Sequence, residues 1–128
     1  MAGELILIVE DNEKNRKLVR DVLQFRGYKT VEAVTAEDGI QLARAEKPDL
    51  ILMDIQLPGM DGITALGHLR ADPATKEIPI IAITASAMTE DRQKMMAAGF
   101  DGLQTKPINV KEFLEAVAQI LKKSGGAA

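Results

Sequence analysis

Cysteine is absent, and aromatic side chains are scarce, with one Tyr and three Phe among 128 residues. Without cysteine there are no disulfides, no thiolate metal sites and no Cys nucleophile, which fits a reducing compartment. Few aromatic rings means no stacking platform for nucleic acid, and a formal net charge of −3 means no basic surplus to meet a phosphate backbone. No apolar run approaches the roughly 20 residues that span a bilayer as a helix. The N-terminal Met-Ala-Gly-Glu lacks the basic start of a signal peptide. Internal repeats are missing as well. These absences lead to the expectation of a cytoplasmic protein with no direct nucleic-acid contact and no membrane insertion.

What is present is an ordinary globular balance, 46% apolar and 27% charged. The length suits one domain with a real core and is too short for two. That domain is expected over residues 1–123. The closing Ser-Gly-Gly-Ala-Ala, 124–128, reads as a flexible tail or the beginning of a linker.

The most informative stretch is 49–59, Asp-Leu-Ile-Leu-Met-Asp-Ile-Gln-Leu-Pro-Gly. A short unbroken apolar run with turn residues behind it reads as a strand buried on both faces, hence a parallel sheet covered by helices. It stops on a carboxylate, Asp54. Leu5–Val9 is a second such run, and it stops on Glu10 and Asp11.

Asn12 caps a helix in which Leu18, Val22 and Phe25 share a face, with Val19 and Leu23 beside them, and Gly27 stops it. Residues 28–34 form a looser, more exposed edge strand. Thr35 caps a second helix with Ile40 and Ala43 inward, ended by Pro48. The third strand, Leu50–Asp54, is followed by a helix over Gly62–Ala71 with Ile63, Leu66 and Leu69 inward, broken at Asp72-Pro73. Residues 78–84 form a fourth strand, with Pro79 tolerated near its start. A helix over Thr89–Ala98 closes at Gly99, a short fifth strand spans 101–105, and Asn109 caps a last helix in which Phe113, Val117 and Ile120 align. Five strands alternating with five helices predict an α/β, doubly wound, flavodoxin-like parallel sheet, with strand order 2-1-3-4-5.

In that order the switch point lies between the first and third strands, where open α/β sheets bind ligands. Glu10, Asp11 and Asp54 should converge there. Glu10 and Asp11 could simply cap a helix, and Asp54 could simply begin a turn. Two acidic strand ends at one switch point argue instead for a hard cation such as Mg²⁺, which takes carboxylates, waters and phosphate oxygens. Thr84 ends the fourth strand, and Lys106 follows the fifth. Each has an ordinary reading, as a β-branched strand residue and a solvated loop lysine. Together with the acids they make a carboxylate nucleophile, a cation site, a hydroxyl and an ammonium, a set suited to phosphoryl transfer onto Asp54. Lys106-Pro107 is also a candidate cis peptide.

Four separated motifs in order carry a resemblance: Ile-Val-Glu-Asp-Asn at 8–12, the stretch 49–62 ending Pro-Gly-Met-Asp-Gly, Ile-Thr-Ala at 83–85, and Lys106-Pro107. Over nearly its full length the chain resembles the receiver domain of two-component response regulators. Its wording is similar to stand-alone regulators of the DivK cell-division type and to receivers of hybrid kinases. The resemblance implies a signalling phosphoacceptor, not an enzyme with a turnover substrate, though one that assists its own phosphorylation and dephosphorylation. It implies that Asp54 receives a phosphoryl group from a sensor histidine kinase or a histidine phosphotransfer protein. It also implies that Asp11, Asp54 and the Gln56 carbonyl hold Mg²⁺ with help from Glu10, and that Thr84, Lys106 and the Ala85 N–H bind the phosphoryl oxygens. Gln56 and Ser86 stand where receivers tune phosphoryl lifetime. Leu103 departs from the pattern: many receivers have Tyr or Phe there, paired with the Thr as a switch. In receivers the face of the fourth helix, fifth strand and fifth helix often meets a downstream protein, which draws attention to Met95 and Met96. Core packing is the commoner use of Met88, Met95 and Met96.

Competing readings are an aspartyl-phosphate-forming phosphatase on a similar sheet, which Gln56 argues against because such enzymes place a second acid there, and a receiver cut from a larger regulator. Two weaker signals fail. The glycine spacing at 62–67 lacks the Lys and Ser/Thr of a P-loop, since His68 and Leu69 follow, and Arg16 occupies the glycine position an EF-hand needs. His68 is expected on an exposed helix face.

Overall fold

The computed structural model describes residues 3–85 and 89–125. Its elements alternate without exception: β1 Leu5–Val9, α1 Glu13–Phe25, β2 Lys29–Ala33, α2 Ala36–Glu46, β3 Leu50–Asp54, α3 Gly62–Ala71, β4 Ile80–Thr84, α4 Thr89–Ala98, β5 Gly102–Thr105 and α5 Val110–Gly125. The sheet is wholly parallel in the order β2-β1-β3-β4-β5. The doubly wound architecture expected from the sequence is the one observed.

Each central strand feeds two cores because its side chains alternate across the sheet. Leu7, Val9, Ile51, Met53, Ile80 and Ala82 point to one side, where α2 and α3 contribute Ile40, Ala43, Leu66 and Leu69. Ile6, Ile8, Leu50, Leu52, Ile81 and Ile83 point to the other, against Val19 and Leu23 of α1 and Phe113 and Val117 of α5. This two-sided burial is why β1, β3 and β4 are unbroken apolar runs. Each fully buried aliphatic side chain contributes about 1.5–3 kcal/mol.

Caps stand where the sequence puts them. The side chains of Asn12, Thr35 and Asn109 accept hydrogen bonds from the backbone N–H groups of Asn15, Asp38 and Glu112. Asp61 does the same for Thr64 at the start of α3. Gly27 has φ +90°, a turn that a side chain there would oppose. His68 is exposed.

The face of α1 differs from expectation. Val19 and Leu23 are buried, whereas Leu18 is exposed and Phe25 is 88% exposed. Leu18 and Phe25 sit about 100° around the helix from Val19. Both stripes are apolar, so spacing alone could not say which one meets the sheet.

β4 begins at Ile80 rather than residue 78, because Pro79 has no N–H and the Ile78 N–H bonds to Thr75. β5 begins at Gly102, one residue later than expected, although the Asp101 N–H already donates to the Ile80 carbonyl; the Asp101 carboxylate accepts from the Ile80 N–H and Arg70. α5 continues to Gly125, into the segment read as a tail. Residues 126–128 lie outside the described residues, as do Ser86 and Met88.

Candidate functional site

The register of the central strands builds the site. Val9 pairs with Met53, so the next residues, Glu10 and Asp54, emerge side by side at the carboxyl edge of the sheet. Asp54 pairs with Ile83, and Thr84 with Thr105, which brings Thr84 and Lys106 to the same edge. Glu10, Asp54 and Thr84 are buried, while Asp11 is exposed. One carboxylate oxygen from each of Glu10, Asp11 and Asp54 lies within 4.8 Å of the other two.

Lys106 closes the cluster. Its Nζ donates to Asp54 Oδ2 at 2.8 Å and lies 3.2 Å from Glu10 Oε1. The Lys106 N–H donates to the Thr84 carbonyl, which anchors the residue at this edge. The Lys106-Pro107 peptide is cis, as the sequence suggested. The other Asp54 oxygen, Oδ1, accepts from the Gln56 N–H at 2.9 Å. Glu10 Oε2 accepts from the Asn12 N–H at 3.1 Å.

These contacts split the two buried acids. Burial, and then a hydrogen bond with Asp54, push the Glu10 carboxyl from its usual value near 4.5 up to about 7. Burial acts the same way on Asp54, but hydrogen bonds from Glu10, Lys106 and the Gln56 N–H outweigh it and hold Asp54 below the usual carboxylate range. Burial works against the Lys106 ammonium, yet its contacts with Asp54 and Glu10 raise its pKa overall. The Lys106 ammonium, in contact with both buried acids, offsets part of their charge.

The donor set fits Mg²⁺. It is all oxygen, it offers two buried carboxylates fixed by backbone N–H groups, and Asp11 leaves one side open to waters or phosphate oxygens.

A scan of family models decides what this edge belongs to: the response regulator receiver domain model matches residues 6–118. The chain belongs to that family. A curated relative, the polar-differentiation response regulator DivK of Brucella anthropi, is 41% identical over 116 residues, covering 91% of this chain and 94% of the relative. Among solved structures, the receiver domain of the sensor histidine kinase PA1611 from Pseudomonas aeruginosa matches at 34% identity and TM-score 0.83, covering 98% of this chain and 99% of that one. That structure holds a magnesium ion coordinated in its active-site cleft. A CheY-like receiver domain from Methanospirillum hungatei matches at 28% identity and TM-score 0.89, covering 99% of this receiver and all of the other.

The remaining expected residues divide. Gln56 and Ala85 are exposed, just beyond the ends of β3 and β4. Leu103 is half-buried against the core on the β5 side. It also lines a polar groove of about 350 Å³ with Arg92, Gln104, Glu112 and Glu115, across α4, β5 and α5. Of the two methionines singled out for partner contact, Met95 is 5% exposed and packs in the core, whereas Met96 is 48% exposed. Adjacent helical positions point about 100° apart, so of these two only Met96 faces solvent.

For two residues the sequence reading assigned no contact at this site. Gly62, the first residue of α3, packs directly on the backbone of Asp54 and Ile55. Arg16, one turn into α1, donates from Nη1 to the carbonyl of Glu10 at 3.0 Å. A glycine opening a helix is a weak hint of close approach, and an arginine in a polar helix gives none.

Proposed function

We propose that this receiver is a phosphoacceptor switch in a two-component or phosphorelay pathway, with Asp54 as the acceptor. The observation that carries this reading is the 2.8 Å contact of Lys106 Nζ with a buried Asp54 at the acidic edge of the sheet. The donor would be a phosphohistidine on a sensor histidine kinase or histidine phosphotransfer protein. An Asp54 oxygen attacks phosphorus as the P–N bond breaks, and the bonding electron pair returns to the imidazole. Lys106 already touches the attacking carboxylate and supplies a cation for the phosphoryl oxygens. Thr84 and the Ala85 N–H complete the cradle. Asp11, Asp54 and the Gln56 carbonyl would hold Mg²⁺, with Glu10 assisting; the ion supplies charge to offset the phosphoryl oxygens. The depressed pKa of Asp54 favours the ionised, nucleophilic form.

Phosphorylation adds about −1.5 to −2 charge beside Lys106 and Thr84, at the ends of β5 and β4. We read the α4-β5-α5 groove, with exposed Met96, as the face that then changes its affinity for a downstream protein. Leu103 stands in β5 where an aromatic switch would pair with Thr84, so signal transfer here rests on Thr84 and α4. Gln56, just beyond the end of β3, is a position for tuning phosphoryl lifetime, with Ser86 assigned the same role. A cytoplasmic site of action suits this reading; no helix among the described residues is long and apolar enough to cross a membrane.

The test is phosphorylation by acetyl phosphate with Mg²⁺, followed by intact mass. One phosphoryl group on the parent and none on Asp54→Asn is expected. No adduct on the parent, or an equal adduct on the variant, would sink the reading. Sustained hydrolysis of varied phosphate esters would point to a phosphatase instead.

A further inference from the structure

Asp11 is exposed, so packing does not fix the loop that presents it. Hydrogen bonds do. The Glu10 N–H donates to Ala33 at the end of β2, and the Asn12 N–H folds back to the Glu10 carboxylate. The Glu10 carbonyl belongs to the peptide that joins Glu10 to Asp11. Arg16 Nη1 takes it at 3.0 Å, while Arg16 Nε donates to Glu32 Oε1 of β2 at 3.2 Å. Glu32 is also held by Arg20 at 3.4 Å. The guanidinium is thus clamped at both ends, between an edge strand and the peptide plane that aims two of the three clustered acids.

We infer that Arg16, oriented by Glu32, is a positioning residue for the cation site: it sets the Glu10–Asp11 peptide so that both carboxylates face Asp54. The inference rests on the proposed Mg²⁺ site and extends it to a residue that touches neither metal nor phosphoryl group. A planar fork with several fixed N–H donors suits this bridge, and lysine could fill only one end of it.

Electrostatics and positioning give opposite signs here, which makes the inference testable. Arg16 is a cation near a cation site, so removing it while Glu32 remains leaves the region more negative and should tighten Mg²⁺ binding by charge alone. Loss of positioning should weaken it, by about tenfold, as for other residues that orient metal ligands. Mg²⁺ affinity is measured by calorimetric titration on the parent, Arg16→Met, Arg16→Lys, Glu32→Gln and the charge-balanced double variant Arg16→Met/Glu32→Gln, with thermal melting in parallel. The expected pattern is weaker binding by both Arg16→Met proteins to similar degree, partial recovery in Arg16→Lys, and a smaller loss in Glu32→Gln. Charge and positioning act in the same direction in Glu32→Gln, so that variant does not discriminate; Arg16→Lys keeps the charge, so its weaker binding reports positioning even if Arg16→Met does not fold. Folded Arg16→Met with parental or tighter Mg²⁺ binding overturns the inference and leaves the Mg²⁺ site standing. Absence of Mg²⁺ binding by the parent overturns both.

Discussion

A β-carbon on Gly62 would lie 2.7 Å from the carbonyl oxygen of Asp54 and 2.9 Å from the α-carbon of Ile55. Both neighbours are backbone, and neither can swing aside. The start of α3 is therefore pressed against the peptide that carries the phosphoacceptor candidate. Gly62→Ala is expected to destabilise the protein by about 1–3 kcal/mol through overpacking. Gly67, in the same helix, has nothing within 4 Å of its would-be β-carbon. There the same change should stabilise by about 0.5–1 kcal/mol, since alanine is the better helix former. Urea unfolding of the two variants measures the contrast, and equal midpoints would refute it.

Lys106 and a divalent cation answer the same acidic charge from different sides. Lys106→Met should bind Mg²⁺ at least as tightly as the parent, because a competing ammonium is gone. It should also take phosphoryl from acetyl phosphate about a hundredfold more slowly, the usual cost of removing a group that meets developing charge. Parental phosphorylation kinetics would exclude a role for the ammonium in transfer.

Glu10 gives the metal-free protein a specific pH signature. Its folded-state pKa is raised by burial to about 7, so between its ordinary value of 4.5 and that point the folded state binds the proton more strongly than the unfolded chain. Stability from this group is then fully present below pH 4.5 and declines as pH rises through about 7. Mg²⁺ competes with the proton, so its stabilising effect should grow across the same window. Melting curves from pH 5 to 8 with and without Mg²⁺ test this, and Glu10→Gln should flatten the metal-free slope. A metal-free melting temperature that rises steadily over that range would contradict it.

Phe25 and Phe113 offer identical chemistry in opposite surroundings. Phe113 is fully buried between α5 and the sheet, and its replacement by alanine should cost about 3–5 kcal/mol. Phe25 projects from the end of α1 into solvent, and its replacement should change stability by less than about 0.5 kcal/mol. Thermal denaturation of both proteins decides the matter, and a comparable loss at Phe25 would mean that α1 packs by its other stripe.

What this sequence reveals of the fold, and what it hides, has physical causes. β1 and β3 were legible because strands buried on both faces have no polar positions to blur them, and their acidic ends stand out against that background. Convergence of Glu10, Asp11 and Asp54 followed from topology, since parallel strands deliver their carboxyl ends to one edge. The inward face of α1 was not legible: Leu18, Val19, Leu23 and Phe25 are all apolar, and only the sheet selects among them. Met95 and Met96 were inseparable for a similar reason. Arg16 and Gly62 act through the backbone of distant residues, and a carbonyl 6 positions away leaves no mark on composition or period.

The sheet order has a last consequence, for how the protein is made. Asp54 and Lys106 stand 52 positions apart, and Lys106 enters only after β5 has docked beside β4. A ribosome-bound chain that has released β1 and β3 already carries the acids but lacks their resident cation. The charge balance of this edge is thus reached only once β5 follows the other four strands, and a chain that stops before β5 leaves the acids without Lys106.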